Sequence, residues 1–183
     1  MKALIINGSP NKNGETVGMI NYILSKYSGE YKIVNTYYVS VSPCTDCRAC
    51  RTEDKCAIDD DMTEIYEYMR ICDRIIFASP LYFSQFTGSF LSLMSRIQLF
   101  CSRKYIRNMD NNLKEKKGLI LLNGGGSTVN TTGVEQCGRI LMREMNVSEY
   151  KTVCYVGTDK RSVLEDKKTV DELEKAANFF IET

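Results

Sequence analysis

Four cysteines crowd one short segment, Cys44, Cys47, Cys50 and Cys56, with the spacing Cys-x2-Cys-x2-Cys-x5-Cys. In a reducing compartment, thiols this close together read as metal ligands or redox groups rather than as disulfides. Four thiolates suit a 4Fe–4S cluster. Zinc takes the same donor set, though its structural sites more often come as two separated Cys-x2-Cys knuckles. Free thiols are the third reading. The chain has no histidine, which removes imidazole from any triad, metal site or proton transfer. Hard chemistry is therefore expected from a cofactor.

Three further stretches have the composition of ligand loops. The first runs from Gly8 to Thr16, directly after the apolar run Leu4-Ile5-Ile6. Small residues there let backbone approach a ligand, Ser9, Asn11, Asn13 and Thr16 offer polar side chains, and a helix starting at Thr16 offers free N–H groups to an anion. Neither the Walker lysine nor the dinucleotide glycines are present. A loop of hydroxyls and amides suits a single terminal phosphate, with an ordinary strand-to-helix turn as the bland alternative. The second is Ser79 to Phe86, where Pro80, Leu81, Tyr82 and Phe83 could lie along a flat aromatic ligand or simply cover the core. The third is Asn123-Gly124-Gly125-Gly126-Ser127-Thr128. Consecutive glycines are costly in chain entropy, which a close approach to a ligand or a surface loop would explain.

These loops need elements to position them. Lys2–Asn7 reads as a buried strand, continuous rather than alternating in its apolar residues. A helix follows with Val17, Ile20, Leu24 and Tyr27 on its inner face. Residues 31–41 read as a second strand, and Pro43 begins the cysteine segment. Asp59, Asp60 and Asp61 cap the next helix, whose buried face is Met62, Ile65, Met69 and Cys72. Arg74–Ala78 is a third strand, residues 87–103 one long apolar helix, and Gly118–Leu122 a fourth strand. A helix through Val134, Cys137, Leu141 and Met145, a strand over Glu149–Val156 and a final helix through Val170, Leu173, Ala177 and Phe180 complete the chain. Five strands alternating with five helices imply a mostly parallel sheet covered on both faces, with ligands beyond the carboxyl ends of the strands.

The 183 residues suit one domain spanning 1–183, with the cysteine segment as an insertion at about 43–58. Twenty-four basic against 23 acidic residues argue against a nucleic-acid binder. No apolar run reaches the roughly 18 residues that a membrane span needs, and the N-terminus does not have the pattern of a secretory signal. A cytoplasmic protein is expected. Cys72, Cys101, Cys137 and Cys154 fall in apolar patterns and read as small core residues.

Taken together, Asn7-Gly8-Ser9-Pro10 with Asn13-Gly14 and Thr16, Pro43-Cys44 through Cys56, Asp60-Asp61-Met62 and Ala78-Ser79-Pro80-Leu81-Tyr82-Phe83 resemble the NADPH-dependent FMN reductase family, and within it the iron–sulfur flavoproteins. The resemblance covers the first half of the chain well, and the second half mainly through Arg96 and the glycine loop. Where relatives commonly carry a lysine–aspartate–arginine signature, this chain has Leu91, Ser95 and Arg96. The resemblance implies a flavodoxin-like α/β sandwich with a five-stranded parallel sheet of order 2-1-3-4-5. It implies FMN, with Ser9, Asn11, Asn13, Gly14, Glu15 and Thr16 around the phosphate. Pro80, Leu81, Tyr82 and Phe83 would line the isoalloxazine, with Asn123, Gly124, Gly125 and Gly126 on its other side. Cys44, Cys47, Cys50 and Cys56 would ligate a 4Fe–4S cluster. A homodimer or dimer of dimers is implied as well.

Two flavin functions follow. One is an oxidoreductase passing electrons from NAD(P)H to a small acceptor such as a quinone, a nitro compound or free flavin, with no side chain needed as acid or base. The other carries electrons between FMN, a cluster and ferredoxin-like partners. A zinc or thiol sensor on the same fold is the non-enzymatic alternative.

Overall fold

The computed structural model describes residues 1–126 and 129–182. Ser127 and Thr128, part of the expected glycine loop, lie outside the described residues. Five strands, β1 (Lys2–Asn7), β2 (Glu30–Asn35), β3 (Arg74–Pro80), β4 (Lys116–Gly124) and β5 (Val147–Val156), form one sheet. Every pairing is parallel and the order is β2-β1-β3-β4-β5, as the resemblance implied.

The apolar runs are continuous because each strand feeds two cores. On β1, Leu4 and Ile6 join one cluster while Ala3 and Ile5 join the other. The second face is covered by α1 (Glu15–Ser25) and α6 (Lys167–Ile181), through Met19, Ile20, Ile23, Leu173, Ala177 and Phe180. The first face is covered by α2 (Met62–Ile71), α3 (Gly88–Ser95), α4 (Gln98–Tyr105) and α5 (Thr132–Glu144). Phe90 packs there against both Phe77 and Phe86, with ring centroids 5.5 and 4.5 Å apart. The core cysteines follow this division: Cys72 is fully buried, and Cys101, Cys137 and Cys154 are partly buried against the same cluster. Burial pushes the Cys72, Cys101 and Cys154 thiols up to about 11, so they stay protonated and inert.

Some boundaries differ from the sequence expectation. The second strand ends at Asn35 rather than at 41, since β2 is an edge strand whose Tyr31 and Ile33 face outward, and the chain turns at 36–39. β3 continues through Ser79 to Pro80, where Pro80 pairs with Asn123. The buried stripe of α1 is Thr16, Met19, Ile20 and Ile23, with Val17 and Leu24 half-buried. The long apolar helix expected over 87–103 is two helices, α3 and α4, broken at Arg96 and Ile97. That break lets both halves face the cysteine segment.

Candidate flavin cleft and cysteine pocket

The loops leaving β1, β3 and β4 meet at the carboxyl edge of the sheet. They enclose a cleft of about 340 Å³ lined by Ser9, Pro10, Asn11, Asn13, Gly14, Glu15, Thr16, Pro80, Tyr82, Asn123 and Thr158. Successive side-chain turns hold the first loop. Asn7 Oδ1 accepts from Ser9 N–H at 3.0 Å, Ser9 Oγ from Asn11 N–H at 3.2 Å, and Asn11 Oδ1 from Asn13 N–H at 3.1 Å. The helix then starts with no side-chain cap. Its first-turn N–H groups have no intrahelical acceptor, so an anion at this mouth would satisfy them.

Buried hydrogen bonds cross-link the loops at this edge. Thr16 Oγ1 donates to Asn123 Oδ1 at 2.6 Å, Thr87 Oγ1 to the Gly8 carbonyl at 2.8 Å, and Thr87 N–H to Ser79 Oγ at 3.2 Å. Gly8 N–H donates to the Ala78 carbonyl at 2.7 Å. A side chain at Gly8 would be tightly crowded, since an added Cβ would lie 3.0 Å from Thr87 Oγ1 and 3.1 Å from both Ser79 Oγ and Phe90 Cβ.

The expected site residues divide. Ser9, Asn11, Asn13, Gly14, Thr16, Pro80, Tyr82 and Asn123 line the one cleft. Glu15 lines it too, but its carboxylate is turned away, accepting from Ser162 Oγ at 3.0 Å and Val163 N–H at 2.8 Å. Only its backbone remains for an anion. Leu81 is half-buried against the core, with its N–H on the Asn123 carbonyl at 2.7 Å. Phe83 is fully exposed at the tip of a hairpin closed by the Tyr82–Gln85 bridge. Phe83 and Ser84 have φ of 52° and 60°, the left-handed pair that a two-residue hairpin turn demands.

The glycine loop has a reason beyond a ligand. Gly157 N–H and Thr158 N–H donate to the Gly124 carbonyl at 2.8 and 3.1 Å, and a Cβ on Gly125 would collide with the Asp159 carboxylate. The loop after β5 is thereby laced onto the one after β4, and Thr158 enters the cleft, a residue the sequence reading did not single out.

The cysteine segment forms a second site on the outside of α3 and α4. Cys44, Cys47, Cys50 and Cys56 all line one pocket, with Tyr66, Arg96, Gln98 and Ser102 among its other walls. Cys44 and Cys47 are exposed, Cys50 and Cys56 half-buried. Asp46 and Arg48, with φ of 51° and 66°, wind the chain tightly between the first three cysteines. Helix residues fix the segment: Ser95 Oγ accepts from Cys44 N–H at 2.9 Å, and Ser102 Oγ donates to the Cys50 carbonyl at 3.1 Å. Arg96 donates to Ser42 and Ile58, at either end of the segment, and to Asp60. Of the carboxylates expected to cap α2, Asp60 accepts from Met62 N–H at 3.0 Å and also from Ser42 N–H at 3.0 Å, whereas the Asp61 side chain makes no cap bond and accepts instead from Ser40 N–H at 2.7 Å. Burial pushes the Tyr66 phenol well above its ordinary range, the Arg96 guanidinium opposing and the Cys56 thiol adding to the rise. Among the described residues, no three Cys, Asp or Glu side chains converge on a single metal position. Four thiols on one pocket nevertheless match the donor set of a four-cysteine centre.

An all-parallel sheet of this order, with a cleft at the carboxyl end of β1, defines a flavodoxin-like domain. The sequence profile of the NADPH-dependent FMN reductase family matches residues 1–159, and the chain belongs to that family. It is similar to an iron-sulfur flavoprotein of Methanosarcina thermophila, 38% identical over 128 residues, 68% of this chain and 64% of that protein. An iron-sulfur flavoprotein of Methanocaldococcus jannaschii is 35% identical over 101 residues, 52% of this chain and 51% of its own length. The matches thus span about half to two-thirds of those relatives. Among solved structures, an NAD(P)H:quinone oxidoreductase from Methanothermobacter marburgensis superposes with a TM-score of 0.71 at 16% identity, over 100% of this chain and 97% of the other. Among the described residues, no helix is long and apolar enough to cross a membrane.

Proposed function

We propose that this protein binds FMN in the β1–β3–β4 cleft and works as an oxidoreductase that draws electrons from NAD(P)H. The observation that carries this reading is the uncapped start of α1, opening into a cleft whose opposite wall is Pro80, Tyr82 and Asn123. Bound there, the flavin would supply both two-electron and one-electron chemistry. The chain would bind and orient. The N–H groups of Gly14, Glu15 and Thr16 would receive the phosphate, with the Asn11 and Asn13 amides beside them. Tyr82 and Phe83 would cover one side of the ring system. Backbone N–H groups of the Gly124–Gly126 loop would stabilise negative charge on the reduced ring.

The cysteine pocket favours a second feature of the same protein, a 4Fe–4S cluster held by Cys44, Cys47, Cys50 and Cys56. The iron-sulfur flavoproteins similar to this chain support it. A cluster there would supply one-electron transfer, suited to a ferredoxin-like partner, while a protein without one would serve a small acceptor such as a quinone.

Anaerobic purification with flavin, iron, sulfide and zinc analysis tests both features. The expected result is stoichiometric FMN, bleached by NADH or NADPH in stopped flow, with about four irons per chain as a four-cysteine cluster requires. Protein that is colourless and refuses added FMN overturns the flavin reading. Flavin that neither nucleotide bleaches overturns the electron source, and zinc or no metal overturns the cluster.

A further inference from the structure

Arg96 is only 2% exposed and stands at the break between α3 and α4. Its Nη1 donates to the Ser42 carbonyl at 2.9 Å and to Asp60 Oδ2 at 2.7 Å, and its Nη2 to the Ile58 carbonyl at 3.2 Å. Ser42 precedes Cys44 and Ile58 follows Cys56, so a single planar side chain ties together both ends of the cysteine segment.

That clamp engages both terminal nitrogens and leaves Nε over. A guanidinium carries five N–H groups in a fixed fork, and Arg96 Nε is buried with no hydrogen-bond partner among the described residues. A buried orphan N–H calls for a partner that completes it. Arg96 also lines the pocket lined by the four cysteines. Tyr66, whose hydroxyl donates to the Arg96 carbonyl at 2.8 Å, packs beside both the guanidinium and the Cys56 thiol. The orphan donor, its positive charge and the half-buried Cys56 thiol therefore share one pocket beside Tyr66. Asp60 is the carboxylate paired with that charge.

We propose that Arg96 is a positioning and tuning residue of the cysteine centre, its Nε–H donating a hydrogen bond to the Cys56 sulfur. This rests on the reading that the four thiolates hold a cluster. A hydrogen bond and a positive charge at a ligand sulfur favour the reduced, more negative state, and so raise the reduction potential. Lysine would keep the charge but lose the fork that serves Ser42, Ile58 and the sulfur together.

The test is Arg96→Lys, purified and reconstituted anaerobically beside the unsubstituted protein, with Arg51→Gln as a control for another arginine of the same pocket. Redox titration followed by electron paramagnetic resonance gives the cluster potential, and the flavin potential is read in parallel. The expected result is a lower cluster potential in R96K alone, with the flavin potential unmoved. A second measurement needs no change at Arg96. Protein labelled with 15N at the arginine guanidino nitrogens, in an Arg48→Gln, Arg51→Gln background, is expected to show a weak 15N coupling to the reduced cluster. If R96K fails to fold or load, that coupling decides. A loaded R96K with the unsubstituted potential, or absence of the coupling, overturns this inference alone. Absence of iron and sulfide from the unsubstituted protein overturns the cluster reading and this inference with it.

Discussion

Thr16 and Asn123 lie 107 positions apart, yet Thr16 Oγ1 donates to Asn123 Oδ1 at 2.6 Å in a buried contact. The bond ties the first turn of α1 to the end of β4 across β1 and β3, and fixes the width of the cleft. Replacing Thr16 by Val keeps the shape and strands the Asn123 oxygen without its donor. An unsatisfied buried acceptor costs about 1–3 kcal/mol, so denaturant unfolding of T16V should show a loss of that size. FMN affinity, read by flavin fluorescence, should fall roughly tenfold, the equivalent of about 1.4 kcal/mol. Thr16→Ser should restore most of both; a T16V protein of unchanged stability would remove the bond from the account.

Gly8 makes a separate prediction. The hydroxyls of Ser79 and Thr87 close on its Cα, and a Cβ would meet three atoms at 3.0–3.1 Å. The two hydroxyls are held by their own buried bonds, and Phe90 is packed in the core, so none gives freely. Gly8→Ala should cost about 1–3 kcal/mol as an overpacking change and weaken FMN by shifting the phosphate loop. Equal flavin affinity in G8A would show that the loop tolerates the shift.

How much was legible in the sequence depended on how local each signal was. The parallel sheet and the phosphate loop were legible, because apolar runs such as Ala3–Ile6 and the polar loop behind them are contiguous. The break at Arg96 was not, since Phe90 to Ile97 reads as one apolar helix and only packing against the cysteine segment divides it. The tilt of α1 was misjudged between Val17 and Leu24 and the buried Met19 and Ile23, because both stripes are apolar and the sheet chooses. Thr158 and Asp159 were invisible, since their role arises only when β5 lies beside Gly124 and Gly125. The cysteine segment was legible as a donor set. Its attachment was not, because Ser95, Arg96 and Ser102 reach it from 51 to 54 residues away.

The hairpin tip stores strain that can be removed. Phe83 and Ser84 both hold positive φ, a conformation costing an L residue roughly 1–2 kcal/mol. Ser84→Gly should stabilise the protein by roughly 1 kcal/mol, seen as a rise in Tm, since glycine adopts this backbone without penalty. Phe83→Ala, by contrast, removes a fully exposed ring and should leave stability within about 0.5 kcal/mol. A loss of FMN affinity in F83A without a change in Tm would assign the ring to the flavin. An unchanged Tm in S84G would locate the strain elsewhere.

The Asp60–Arg96 pair gives stability a dependence on acid. Burial works to raise the Asp60 pKa. The hydrogen bond from Arg96, with those from the Ser42 and Met62 N–H groups, outweighs it and holds the carboxyl below its ordinary range. A carboxyl depressed in the folded state contributes stability that is present above its unfolded pKa, about 3.9, and lost as pH falls through the folded value. Asp60→Asn should therefore cost about 1.5–3 kcal/mol at neutral pH, the range for a hydrogen bond to a charged group. The difference from the unsubstituted protein should begin to shrink as pH falls below the unfolded pKa and go on shrinking through the lower folded value, where Asp60 itself becomes neutral. Urea unfolding from neutral pH down to about pH 3 measures it as a flatter acid limb in D60N. Parallel curves over that range would mean that the pair does not titrate with folding and that Arg96 is held by the Ser42 and Ile58 carbonyls alone.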